Sequence, residues 1–188
     1  SLMDGVIMLS GLRNRLFPLV EVLASPFIAL KIHPNWVSAL GIPLALLAAY
    51  FIAVEQWGLA IVFLLLTPLM DLVDGAVARR LGLQSNWGNY FETMVDKIVE
   101  VIIFIGFSFV APIAATVALG FRLLESYAKP RVALVVIADN RDWPAIGEHA
   151  DVFVLLTAGL LVSFFQSEIA GFQVVPVVLY GVAGMTAI

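Results

Sequence analysis

From Asn35 to Val54 the chain runs without a charged side chain, about the twenty residues that an α-helix needs to cross a bilayer. Hydrocarbon offers no water to bond an exposed N–H or C=O, so a spanning segment must satisfy its own backbone, and a run of this length does so as a helix. Trp57 to Leu81, Asn86 to Val110, Ala111 to about Ala138, Glu148 to Phe165 and Phe172 to Ile188 read as further, predominantly apolar spans, with a polar loop over Asp139 to Gly147. Of the 188 residues 62% are hydrophobic and 13% charged, where soluble domains are about half apolar. The expected fold is therefore all-α, a polytopic membrane protein of about six transmembrane helices.

Ahead of the first span, Gly11 to Ile32 interleaves Arg13, Arg15, Glu21 and Lys31 with Leu16, Phe17, Leu19, Val20, Leu23, Phe27 and Ile28. This reads as an amphipathic juxtamembrane helix on the membrane surface, broken near Pro18 and Pro26. Residues 1–10 have no basic region before a short apolar core, so they read as a tag or disordered start rather than a cleaved signal peptide. Residues 11–188 then form a single domain: the surface helix over 11–32 and the six-span bundle over 35–188. There is no cysteine, which excludes disulfides and thiolate metal sites, and the net charge of -4 gives no reason to expect nucleic acid.

Lysine and arginine are retained on the cytoplasmic side of membranes. Arg13, Arg15 and Lys31 precede the first span, Arg79 and Arg80 separate the second from the third, and Arg141 separates the fourth from the fifth. The loops around Glu55-Gln56, Ala111-Pro112 and Gln166 to Glu168 carry none. A multi-pass protein of the cell membrane with both termini cytoplasmic is expected. The tryptophans at 36, 57, 87 and 143 suit interfacial anchoring, and His33 and His149 suit capping or the interface better than metal ligation.

Against this background the acids stand out. Asp71 and Asp74 sit a helical turn apart near the end of the second span, and Glu92 and Asp96 follow near the start of the third. Acidic groups inside a membrane are expensive and normally functional. Residues three and four apart share a helix face, so Asp71, Asp74, Gly75 and Ala78 form one stripe, and Gly88, Glu92 and Asp96 another. Two helices joined by a short loop pack antiparallel, so the four carboxylates should converge at the cytoplasmic face. Hard oxygen ligands in this number suit magnesium, manganese or calcium rather than zinc or copper. Gly75, Ala78 and Gly88 leave room for a bulky ligand, and Arg79 can bridge a phosphate oxygen. Metal-neutralised phosphoryl transfer on a nucleotide-activated substrate is the chemistry these groups suggest.

The run resembles the signature of the CDP-alcohol phosphotransferases, also called CDP-alcohol phosphatidyltransferases. That signature is Asp, two residues, Asp-Gly, two residues, Ala-Arg, about eight residues, Gly, three residues, Asp, three residues, Asp. Asp71, Asp74, Gly75, Ala78, Arg79, Gly88, Glu92 and Asp96 match its spacing, with Glu92 standing where the family has aspartate. Pro34-Asn35-Trp36-Val37-Ser38 resembles the family element that opens the first span, so the likeness covers nearly the whole chain. It implies two divalent metal ions, Mg2+ or Mn2+, held by Asp71, Asp74, Glu92 and Asp96. Asp74, Gly75, Ala78, Arg79 and Gly88 would bind the nucleotide, and Asp96 would be the catalytic base. The donor would be a CDP-linked lipid alcohol, such as CDP-diacylglycerol or CDP-archaeol. A small polar alcohol would accept the phospho-lipid group with release of CMP, in phospholipid biosynthesis, at the cytoplasmic face among membrane lipids, and the protein would be a homodimer.

For the acceptor, Tyr127-Ala128-Lys129-Pro130-Arg131 looks like the basic element of relatives that use a phosphorylated polyol. Lys129 and Arg131, with Arg122, would hold the phosphate of inositol phosphate or glycerol phosphate. In those relatives the fifth helix often starts with Glu-Arg and a further arginine, whereas Glu148-His149-Ala150-Asp151-Val152 has neither arginine. Arg122 and Glu125 also share a face and could neutralise each other, and Lys97 and Glu100 could form structural pairs. Two other functions fit parts of the pattern. An ion or proton transporter would spread its acids through the bilayer depth instead of clustering them at one face. A CDP-lipid-binding relative impaired in catalysis by Glu92 would keep the pocket without the chemistry.

Overall fold

The computed structural model describes residues 18–135, 149–169 and 171–186. Its helices are α1 (Pro18–Ala29), α2 (Pro34–Ala39), α3 (Gly41–Ala53), α4 (Trp57–Leu81), α5 (Asn86–Ser108), α6 (Pro112–Val135), α7 (His149–Phe165) and α8 (Val174–Thr186). A short antiparallel hairpin, β1 (Glu168–Ile169) and β2 (Phe172–Gln173), takes the expected loop and the first two residues of the expected last span; it pairs Glu168 with Gln173 and Ile169 with Phe172 across Gly171, at φ +83°. Among the described residues, Pro34–Ala53 and Trp57–Leu81 are long and apolar enough to cross a membrane, while α1, α8 and the stretch Asp151–Phe165 are apolar but shorter. The expectations for residues 1–17 and for the loop Asp139 to Gly147, with Arg13, Arg15, Arg141 and Trp143, lie outside the described residues.

Local chemistry sets these boundaries. His33 caps α2, its Nδ1 accepting the Asn35 N–H at 3.3 Å, with Pro34 in the first turn where a missing N–H costs nothing. The expected first span forms over Pro34–Ala53, with one tighter turn at Leu40, whose N–H bonds the Val37 carbonyl at 3.1 Å. Pro43 accounts for this, because it has no N–H for the Ala39 carbonyl and its ring crowds that carbonyl. No break occurs at Pro26, contrary to the sequence-based expectation. The Val22 carbonyl that Pro26 would leave unbonded accepts the Ser25 hydroxyl at 2.7 Å, and α1 runs on.

Helix α4 ends in a Schellman pair, with Leu83 N–H bonded to the Ala78 carbonyl at 3.0 Å and Gly82 N–H to Arg79 at 3.4 Å. Gly82 takes the left-handed φ of +65° that this closure requires. Ser85 then starts α5, its hydroxyl accepting the Gly88 N–H at 3.0 Å.

The described residues divide into two compact units, one built from 18–43 with Leu66–Ile98, the other from Leu44–Leu65 with the described residues from Val99 onward. In the first, Val20 and Ala24 of α1 bury against Val37 of α2 and against Val73, Ala76 and Val77 of α4. Those α4 positions lie off the acidic stripe, so one side of the helix is anchored in apolar packing while the other presents its carboxylates. A bidentate ion pair between Arg80 and Glu21, closest at 2.6 Å, ties α1 to the end of α4.

In the second unit α8 packs on α6 and α7. Helices α3 and α5 approach so closely that a Cβ on Gly106 would lie 2.6 Å from the Ala49 Cα. Arg122 of α6 is buried and ion-paired to Glu100 of α5 and to Glu125 one turn along its own helix.

Gly106→Ala should therefore be destabilising by about 1–3 kcal/mol, since backbone rather than a movable side chain blocks the new methyl. Gly120→Ala in α6, where nothing stands within 4 Å, should be neutral or stabilising by up to about 1 kcal/mol. Thermal unfolding of the detergent-purified chain reads both; equal effects would contradict the close approach.

Candidate active site

The acidic motif folds into a cluster. Asp71 and Asp74 come from α4 and Glu92 from α5, and each offers a carboxylate oxygen lying within 4.8 Å of the others. Asp74 is 1% exposed, and Asp71 and Glu92 are half-buried. Three like charges this close repel strongly in apolar surroundings, so the arrangement calls for cations. Asp96 lies on the same α5 stripe one turn beyond Glu92, half-buried, and is not one of the three clustered carboxylates.

Beside the cluster a cavity of about 230 Å³ opens among Asn35, Ser38, Asp74, Arg79, Gly88 and Glu92. Gly75 and Ala78 also line it. The Arg79 guanidinium folds over Gly75, with Nη1 only 3.2 Å from where a Cβ would stand. A β-carbon on Gly88 would meet the capping hydroxyl of Ser85 at 3.2 Å. The five residues expected at a nucleotide, Asp74, Gly75, Ala78, Arg79 and Gly88, thus line one cavity.

Sequence reasoning missed the contribution of α2 and of the loop after α4. Asn35 and Ser38 line the cavity, and the Ser38 hydroxyl donates to Asp74 Oδ2. Gln84, Ser85 and Asn89 also stand on its wall. The available signal was the pair Asn35 and Ser38, polar residues one turn apart at the head of an apolar span.

The residues expected at the acceptor belong to the second unit. Arg122 is 2% exposed and bonded to Glu100 and Glu125, which engages its guanidinium within the bundle. Arg131 is exposed, its Nε donating to the Tyr127 hydroxyl at 2.8 Å. Lys129 lies in α6, on the turn that Pro130 deprives of one backbone bond.

The model of the CDP-alcohol phosphatidyltransferase family matches residues 31–187. The chain belongs to this family. An uncharacterised protein of Aquifex aeolicus is 34% identical over 100 residues, 51% of each chain. The archaetidylinositol phosphate synthase of Pyrococcus horikoshii is 29% identical over 99 residues, 53% of each. The chain spans about half the length of the curated relatives it matches. Among solved structures, phosphatidylinositol phosphate synthase of Mycobacterium tuberculosis with CDP-DAG bound superposes with a TM-score of 0.73, covering 90% of this chain and 88% of that one. The same synthase in complex with manganese and citrate gives 0.72, over 90% and 84%. Identities of 19% and 18% make this a likeness of fold.

The residues of this CDP-alcohol phosphatidyltransferase family member fit a divalent ion on their own chemistry. Asp71 Oδ1 and Asp74 Oδ1 are buried with no hydrogen-bond partner, and buried carboxylate oxygens normally have one. Two orphaned oxygens within a three-carboxylate cluster are hard donors of the kind a divalent cation takes. With the metal stripped by EDTA, Asp71→Asn should raise the melting temperature by a few degrees, since removing one of three crowded charges relieves about 1–3 kcal/mol of repulsion. It should also shrink the rise in melting temperature that manganese produces in the parent chain. Thermal unfolding with and without manganese checks both signs.

Proposed function

We propose that this protein transfers a phosphatidyl-type group from a CDP-linked lipid alcohol to a small hydroxyl-bearing acceptor, releasing CMP. The observation that carries the reading is the convergence of Asp71, Asp74 and Glu92 beside a cavity floored by Gly75 and Ala78 and overhung by Arg79. In the reaction the acceptor oxygen bonds to the phosphorus that bears the lipid alcohol. The bond from that phosphorus to the bridging pyrophosphate oxygen breaks, and the bridging oxygen leaves with CMP. Divalent ions, Mg2+ or Mn2+, held by Asp71, Asp74, Glu92 and Asp96 supply charge neutralisation at the pyrophosphate.

The chain's own residues do the rest. Arg79 pairs with a phosphate oxygen, and its seat on Gly75 keeps the guanidinium at the cavity wall. Gly88 and Ala78 let the nucleotide approach backbone, and Asp74 borders both nucleotide and metal. Asp96, a turn along α5 from Glu92, takes the acceptor hydroxyl proton. The acceptor we favour is a phosphorylated polyol, inositol phosphate before glycerol phosphate, because two curated relatives are, by name, an archaetidylinositol phosphate synthase and a phosphatidylinositol phosphate synthase. Lys129 and Arg131 are the residues we assign to its phosphate; Arg122 is omitted because its glutamate partners already neutralise it.

The setting proposed is a cell membrane crossed six times, with both termini and the site at the cytoplasmic face, and a homodimer as the working unit. Exposed large apolar side chains support immersion in lipid, among them Ile113 and Phe109 at 73% and Phe165 at 80%. Clustering of the acids at one place speaks against a transport path, which needs them in series.

The purified chain, given a CDP-lipid, manganese and each candidate acceptor in turn, should release CMP with one acceptor, and Asp96→Asn should cut the rate at least a hundredfold, as general-base loss does at roughly 10²–10⁴. Release independent of acceptor, or unchanged in the variant, would refute the assignment. Glu92→Asp should change turnover less than about tenfold. A much larger gain would mark the natural chain as an impaired CDP-lipid binder.

A further inference from the structure

Ser38 is buried, and it sits on the first turns of the span, where His33 caps α2. The Ser38 hydroxyl has one proton and two acceptors, the Pro34 carbonyl at 3.3 Å and Asp74 Oδ2. The carboxylate is the stronger acceptor. The two oxygens of Asp74 thereby differ: Oδ2 is bonded to Ser38, while Oδ1 is buried without a partner, as is Asp71 Oδ1.

We infer that Ser38 is a positioning residue for Asp74: its O–H pins Oδ2 and leaves Oδ1 to the divalent ion. This rests on the metal reading given above and extends it to a residue outside the acidic motif, contributed by another helix. Rotation about the Cβ–Cγ bond could otherwise turn either oxygen, or both, toward the cation. With Oδ2 tied, Asp74 is a one-oxygen ligand in a fixed rotamer, and the ion meets a preformed site. Partners that orient a metal ligand in this way typically account for about 10–100-fold in metal affinity.

The hydroxyl can be separated from its volume, because Ser38→Thr and Ser38→Val are nearly isosteric and differ in the O–H. Binding of Mn2+ alone to the full chain in detergent is read by electron paramagnetic resonance titration, in which the free-ion signal falls as the ion is bound. S38A and S38V should weaken binding about 10–100-fold while S38T retains it. The manganese concentration giving half-maximal CMP release should shift in parallel, and metal-free melting temperatures of S38T and S38V should stay close together. Equal Mn2+ binding by S38T and S38V would overturn the role of Ser38 alone. Failure of S38V to fold where S38T folds would overturn it too, by assigning the hydroxyl to stability. No Mn2+ binding by the parent chain would overturn the metal reading and the role of Ser38 with it.

Discussion

Mutual repulsion among three carboxylates in apolar surroundings is the constraint on which the rest of the first unit depends. Asp71, Asp74 and Glu92 lie within 4.8 Å of one another, a repulsion that a divalent cation would offset. The unit is built to hold them there regardless. Val73, Ala76 and Val77 bury the opposite side of α4 against α1 and α2, and the Arg80 pair with Glu21 secures the helix end. The Schellman closure at Gly82 and the Ser85 cap turn the chain tightly enough to bring Glu92 back beside Asp71.

Glycine serves two separate purposes in the molecule. At Gly106 the absent side chain lets α5 lie against the Ala49 backbone, a matter of packing alone. At Gly75 it gives the Arg79 guanidinium somewhere to rest at the cavity wall, and at Gly88 it leaves the capping hydroxyl of Ser85 undisturbed. Arginine is similarly divided. Arg79 lines the cavity, Arg80 ties α1 to α4, and Arg122 is consumed by two glutamates inside the second unit. The buried triad is costly to desolvate, and truncating one member would strand a charge, so its residues are poor candidates for ligand exchange.

Most of the helical segments were legible in the sequence, because bilayer-length apolar runs separated by polar turns leave little else to form. The departures are local. Pro26 is absorbed because Ser25 bonds the carbonyl that the proline leaves open, and Pro43 only tightens one turn of a span that stays helical. The hairpin at Glu168 to Gln173 is too short to carry a periodic signal.

The sequence by itself determined the family, the helical class and the stripe on which each acid lies, since helix periodicity converts spacing directly into facing. Tertiary structure decided that Asp71 and Asp74 meet Glu92, because convergence depends on how two helices are placed and not on spacing within either. It also decided the company they keep. Ser38 reaches Asp74 across 36 residues of chain, and Arg122 finds Glu100 across 22. Periodicity within one helix carries no record of contacts made between helices, so neither pairing was written in the spacing.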